Sequence, residues 1–238
     1  MLTFTRKVLS AHRRYDFESL FIVGPQGMGK TTYALLVLYE VYRDWDKALN
    51  HLVFDAREAL PKLKNALKSR HRALLSKRAW EKRIKLLVFD DAGVHLSKYL
   101  FHTSDGFKLA VAMNALYNLI RSVCSAVIFT SPDMDTLKEL RKKSWWIGEP
   151  RAPSGRSKPY RLMVLYRKTI TASGMVVVSK KAVDKYDLRL IPQDVRKEYE
   201  VRRQEALASV LDRLEELLAS PHPPQGAIKL VEKIKRSI

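Results

Sequence analysis

Leu20-Phe-Ile-Val-Gly-Pro-Gln-Gly-Met-Gly-Lys-Thr-Thr32 decides how this chain folds. The apolar run from Leu20 to Val23 reads as a buried strand. Glycines then break it into a turn, and a strongly helix-forming stretch runs from Lys30 to about Tyr42. The spacing Gly24-x-x-x-x-Gly29-Lys30-Thr31 is that of a phosphate-binding loop between a strand and a helix. Gly24, Pro25, Gln26, Gly27, Met28 and Gly29 form the cradle, in which backbone N–H groups turn inward and the helix presents its positive N-terminus. Lys30 reaches the β and γ phosphates as a point charge, Thr31 offers a hydroxyl to Mg²⁺, and Thr32 continues the binding segment. A chance glycine turn is the alternative, and the strand before it and the helix after it count against that.

Further along, Ile84-Lys-Leu-Leu-Val-Phe-Asp-Asp-Ala-Gly93 reads as a central parallel strand that delivers two carboxylates at its C-terminal end, Asp90 lying sixty residues after Lys30. Ligands of open α/β sheets bind at that edge. Asp90 is the expected metal-side acid, acting through water, and Asp91 the group that polarises an attacking water. Ser125-Ala-Val-Ile-Phe-Thr-Ser131 is another buried strand, whose Thr130 either reaches a γ-phosphate or simply caps the strand. Asp135 to Trp146 contains a short basic helix and two tryptophans. Arg141 is its candidate trans-acting arginine, with Lys142 and Lys143 competing; a DNA-contacting edge or plain core packing are the other readings.

Charge points to partners. The 238-residue chain has a formal net charge of +19, and between Lys62 and Lys85 ten Lys or Arg face a single acid, Glu81. A solvated helix face normally mixes both signs. One or two amphipathic helices with a phosphate-contacting face are therefore expected here, Arg70, Arg72, Lys77, Arg78 and Lys82 among the candidate nucleic-acid contacts. A β-hairpin about Thr171 to Gly174 carries Arg167 and Lys168 as further candidates, or else extends the sheet as an edge blunted by charge.

The length suits one α/β domain. Residues 1–150 form the expected core, a mostly parallel central sheet flanked by helices. Residues 151–191 add a loop and the hairpin, and residues 192–238 form C-terminal helices, the longest with a stripe at Leu207, Val210, Leu211, Leu214, Leu217 and Leu218 that packs on the core or on a partner helix. Residues 3–14 read as a basic helix or arm on the domain edge. The one cysteine, Cys124, excludes an internal disulfide and reads as a buried small residue. His95 and His102 lack metal-ligand spacing and read as structural or surface groups. Only four Asn and four Gln, beside plentiful Lys, Arg and Glu, match a hyperthermophile bias. No apolar run approaches the roughly 20 residues that span a bilayer, and residues 1–14 lack a signal-peptide core, so a soluble cytoplasmic protein with no membrane partner is expected.

The phosphate-binding loop, Phe89-Asp-Asp-Ala-Gly93, and Phe129-Thr-Ser-Pro132 through Leu140-Arg-Lys-Lys-Ser-Trp-Trp146 together resemble the AAA+-type P-loop ATPases of spindle-shaped viruses and plasmids of thermoacidophilic archaea, often described as similar to the initiator DnaA. More distantly the chain is similar to helicase-loader and transposition-helper ATPases of the DnaC and IstB type, which also carry Asp-Asp at this strand end. The resemblance covers roughly Leu20 to Trp146. It implies Mg²⁺-dependent ATP hydrolysis coupled to homo-oligomer assembly on double- or single-stranded DNA, in replication initiation, helicase loading or a related viral process, with a replication or packaging protein as a further partner. It also implies a host cell's cytoplasm. Lys30, Thr31, Asp90 and Asp91 fall in the ATP site, Thr130 near the sensor 1 position and Arg141 near the arginine-finger region. Sensor 1 is commonly Asn in that family, its lid is a helical bundle, and no sensor 2 arginine stands out in this sequence. Two other readings are a P-loop kinase of a small molecule, with Asp55 and Arg57 as acceptor ligands, and a nucleotide-switched DNA-binding scaffold.

Overall fold

The computed structural model describes residues 1–73, 79–91, 115, 117–132, 142–153, 155 and 157–219. The elements in chain order are α1 (Thr3–Arg14), β1 (Glu18–Val23), α2 (Lys30–Tyr42), α3 (Trp45–Asn50), β2 (Leu52–Val53), α4 (Ala56–Ala73), β3 (Leu87–Phe89), β4 (Ala126–Ser131), β5 (Trp146–Arg151), β6 (Tyr160–Ile170), β7 (Val176–Asp187) and α5 (Gln193–Leu218). A helical segment at 117–123 precedes β4.

The seven strands form one sheet in the order β2-β3-β4-β1-β5-β6-β7. The first five are parallel, whereas β6 and β7 add antiparallel at the β5 side. Every residue of β1, β3 and β4 is buried, as expected for parallel strands covered on both faces. One face carries Leu20, Ile22, Val88, Ile128, Trp146 and Leu165 under α1, α2, α3 and α5. The other carries Phe21, Val53, Leu87, Phe89, Val127 and Phe129 under Leu63 of α4 and Tyr117, Ile120 and Val123. The mostly parallel α/β sheet, the basic N-terminal helix and the hairpin match the sequence reading.

Three local features differ from it. The short helix α3 is added after α2, nucleated by Asp44, whose carboxylate accepts from the Lys47 backbone N–H at 2.9 Å. Part of the basic run between Lys62 and Lys85 is structural. Arg83 is buried and donates to the carbonyls of Asp16, Arg121 and Cys124, and Arg70 donates to the carbonyl of Ser122. The buried anchors of the last helix, Val195 and Tyr199, lie upstream of the leucine stripe, of which Leu207 and Val210 are half-buried and Leu211 is 43% exposed. The side chains of Leu214, Leu217 and Leu218 lie outside the described residues. Helix α5 docks by its first half because Arg202 ties it to the carbonyls of Leu49 and Leu52.

Helix α1 is fastened across the domain by polar contacts at both ends. Asp184 accepts from the Thr3 backbone N–H and hydroxyl at 2.9 and 2.6 Å and from Tyr33 of α2 at 2.7 Å. His12 meets the Ser125 hydroxyl at 2.9 Å beside the start of β4. Burial, helped by the charges of Lys85 and Arg83, holds the His12 imidazole below its usual pKa, and burial does the same to His51. A histidine whose pKa is depressed on folding favours the neutral, folded form. Stability should be complete above about pH 6.5 and fall as the pH drops below it, by up to about 1.4 kcal/mol per unit for each histidine. Urea unfolding at several pH values should show this fall, and a smaller one in His12→Gln.

Candidate nucleotide site

Because β1, β3 and β4 are parallel and adjacent in the order β3-β4-β1, their C-terminal ends meet at one edge. The glycine loop follows β1, the two acids follow β3, and Thr130 is the next-to-last residue of β4 between them. Gly27 and Gly29 hold φ of 74° and 86°, which favours glycine. At Gly29 a Cβ would also lie 2.7 Å from Leu188 Cδ2. The loop is thus closed from outside by the end of β7, and the Tyr186 hydroxyl donates to the Gly29 carbonyl at 3.0 Å.

Lys30 is buried, and its ammonium donates to the loop's own carbonyls at Gly24 (2.6 Å) and Pro25 (3.0 Å). Burial lowers its pKa, opposed by the charges of Asp91 and Asp90.

Asp90 is wholly buried and is reached by three hydroxyls from three elements. Thr31 donates at 3.0 and 3.1 Å, Thr130 at 2.6 Å and Tyr199 of α5 at 2.7 Å. Burial and the neighbouring Asp91 raise the Asp90 pKa, and the hydroxyl donors pull against that rise. Thr130 also accepts from the Asp91 backbone N–H at 2.9 Å, so its hydroxyl organises both acids. Asp91 itself sits at φ 46°, a left-handed conformation that aims its carboxylate toward α5, where Arg203 pairs with it at 3.3 Å.

These groups wall a cavity of about 620 Å³ lined on the loop side by Gln26, Gly27, Gly29, Lys30, Thr31 and Thr32. Asp91 lies in its floor, Leu35, Leu188 and Ile191 form an apolar wall, and α5 contributes Arg196, Tyr199, Glu200 and Arg203. Arg203 Nε is buried with no hydrogen-bond partner among the described residues. A buried guanidinium N–H left over beside a lysine-lined loop suits a phosphate oxygen. Thr31 gives its proton to Asp90, which leaves its lone pairs for a hard cation. Asp90 has no ion pair to a Lys or Arg side chain among the described residues. The donor set therefore fits a nucleotide with a divalent ion.

The structure brings Lys30, Thr31, Asp90, Asp91 and Thr130 together. Arg141, Lys77, Arg78, His95 and His102 lie outside the described residues. Arg72 and Lys82 are exposed, Arg167 lies over the Trp146 ring at 5.2 Å, and Lys168 sits near the end of the hairpin. Asp55 caps α4, accepting from the Glu58 backbone N–H at 3.1 Å, and does not line the cavity. The sequence reading missed Arg196, Tyr199 and Arg203, and so the C-terminal arginines. Their i, i+3 and i+7 spacing puts them on one helical face, a signal obscured by the more conspicuous leucine stripe downstream.

The family model for ATPases associated with various cellular activities (AAA) matches residues 20–143. The chain belongs to this AAA family. As a member, it is a nucleotide-using ATPase. It is 34% identical over 234 residues to protein B-251 of Sulfolobus spindle-shape virus 1, covering 92% of this chain and 87% of that one. It is 30% identical over 134 residues to protein ORF286 of Acidianus two-tailed virus, and spans 43% of that protein's length. The solved N-terminal domain of zonular occludens toxin from Neisseria meningitidis aligns with a TM-score of 0.37 at 15% identity, over 71% of this chain and 95% of that one. Among the described residues, no helix of this AAA ATPase is long and apolar enough to cross a membrane.

The hydroxyl of Tyr199 is predicted to support the buried carboxylate. Tyr199→Phe should lower the unfolding free energy by about 1–3 kcal/mol, read by urea denaturation. An unchanged midpoint would show that Asp90 does not depend on this donor.

Proposed function

We propose that this AAA ATPase assembles as a homo-oligomer on DNA and couples ATP binding and hydrolysis to that assembly, in the manner of initiator or helicase-loader ATPases of the DnaA, DnaC and IstB type. The observation that carries the reading is a second cavity, about 440 Å³, lined by the lysines Lys62, Lys82 and Lys85 together with Asn50, Asn65 and Ser69, with the structural Arg83 beneath. Asn50 ends α3, Lys62, Asn65 and Ser69 lie on α4, and Lys82 and Lys85 lie on the chain entering β3, at the N-terminal edge of the parallel strands and so the edge opposite the nucleotide cavity. A small phosphate acceptor would need neither this cluster nor a net charge of +19. A nucleic-acid backbone uses both, through ion pairing and counterion release.

At the nucleotide cavity, Lys30 and Arg203 hold phosphate oxygens, and the apolar wall of Leu35, Leu188 and Ile191 receives the base. Thr31 and Asp90 would hold Mg²⁺, which would supply charge neutralisation to the phosphates. Asp91 orients the attacking water and takes its proton, and Arg203 fixes the direction of that carboxylate. Arg141 is the residue proposed to act in trans on a neighbouring subunit.

ATP turnover should rise with duplex or single-stranded DNA and steeply with protein concentration, and should fall by roughly 100-fold or more in Lys30→Ala. A rate flat in both DNA and protein concentration overturns the reading. Combined Lys62→Ala, Lys82→Ala and Lys85→Ala should weaken DNA binding measured by fluorescence anisotropy. The slope of log affinity against log salt should become shallower by about 0.9 for each lysine that meets a phosphate.

A further inference from the structure

Strands β6 and β7 run past the rest of the sheet. The last β5 partner in this direction is Trp146, opposite Arg167, and one more bond joins the Lys168 N–H to the Trp145 carbonyl. Beyond it, among the described residues, Thr169 pairs only with Val177 and Ile170 only with Val176, and this two-stranded ribbon runs roughly 10 Å past the last β5 partner. An isolated ribbon of this length is normally marginal. Here its end is held by its own bonds: the Thr171 N–H donates to the Met175 carbonyl, the Gly174 N–H to the Thr171 carbonyl, both at 2.9 Å, and the Met175 N–H to the Thr171 hydroxyl at 3.1 Å.

The tip is apolar and open. Ile170, Met175 and Val176 are 58%, 64% and 60% exposed, with Val177 and Val178 close behind. The stretch Thr169 to Val178 contains no Arg, Lys, His, Asn or Gln, so it has no long side chain to read base edges. At its base stand Arg167, Lys168, Lys180 and Lys181, and no Asp or Glu occurs between Arg161 and Val183. An apolar point with a cationic collar is the pattern by which proteins part base steps: the collar engages phosphates while the point enters the stack and kinks the duplex. A second copy of this chain would bring like charges together at the collar. The basic cavity on α4 likewise calls for an extended polyanion, and a nucleic-acid duplex, here DNA as in the reading above, has the stacked pairs that a wedge separates.

Resting on the DNA reading above, we propose that the β6–β7 ribbon is a wedge that bends duplex DNA, with Lys168, Lys180 and Lys181 on the phosphates and Ile170, Met175 and Val176 between base pairs. The test uses the full chain and a 30-base-pair duplex labelled at both ends, with anisotropy reporting binding and energy transfer reporting bending. The wild type should bind and shorten the end-to-end distance. The variant Ile170→Ser, Met175→Ser, Val176→Ser should bind within about 3-fold of wild type yet leave the duplex straight, and Lys168→Ala, Lys180→Ala, Lys181→Ala should bind at least about 10-fold more weakly. Neither set lies in the nucleotide site, so DNA-independent ATP turnover should be unchanged and reports that each variant is folded. Bending by the tip variant equal to wild type overturns the wedge and leaves DNA binding standing. Absence of any duplex binding by the wild type overturns both readings. Two other outcomes also overturn the wedge: a tip variant that turns an oligomer into a monomer while still bending DNA marks a contact between copies, and tip-dependent binding to anionic phospholipid vesicles without DNA bending marks a membrane contact.

Discussion

A single carboxylate with no exposed surface, that of Asp90, organises the nucleotide edge of this protein. Burying an ionised group is costly unless hydrogen bonds replace its hydration. Here the replacements come from α2, β4 and α5 through Thr31, Thr130 and Tyr199. The need to satisfy one acid thereby fixes where the loop helix begins, how β4 ends and where the C-terminal helix rests. The same hydroxyl of Thr130 holds the backbone of Asp91, so the second acid inherits its position from the first.

The C-terminal helix is consequently part of the site rather than an appendage to it. Its first half is anchored by Val195 and Tyr199 in the core and by Arg202 on the carbonyls of Leu49 and Leu52. That anchoring aligns Arg196 and Arg203 along the cavity wall. A change at the phosphates that disturbs Asp90 or Asp91 acts directly on α5, because Tyr199 and Arg203 are bonded to those two acids. Helix α5 in turn touches α3 and, through Arg202, the carbonyl of Leu52 at the start of β2.

The large positive charge is divided by the fold into two kinds of work. Arg83 and Arg70 bind carbonyls at the N-terminal edge of the strands, and Arg202 does so under α5. These cations substitute for backbone partners that irregular chain would otherwise lack. Others, such as Arg72, Lys82, Lys180 and Lys181, are left at the surface. Only the second kind can contribute to a polyanion surface, which is why a count of basic residues overstates that surface.

The α/β class, the loop around Lys30, the acids at Asp90 and Asp91 and the β6–β7 hairpin were all legible in the sequence, because each depends on residues close together in the chain. Glycine spacing, an unbroken apolar run and period-two alternation are local consequences of backbone sterics and burial. Helix α5 shows the limit. Its buried anchors, Val195 and Tyr199, lie upstream of the conspicuous leucine stripe, and the arginines it brings to the cavity were recognisable only once the helix was laid across the edge of the sheet. Which half of a helix packs, which arginines meet carbonyls and which hydroxyls surround Asp90 depend on contacts between residues as far apart as Asp90 and Tyr199. Local pattern carries no record of such pairings. Tertiary structure alone decides them, because nearly all buried polar groups must find a partner.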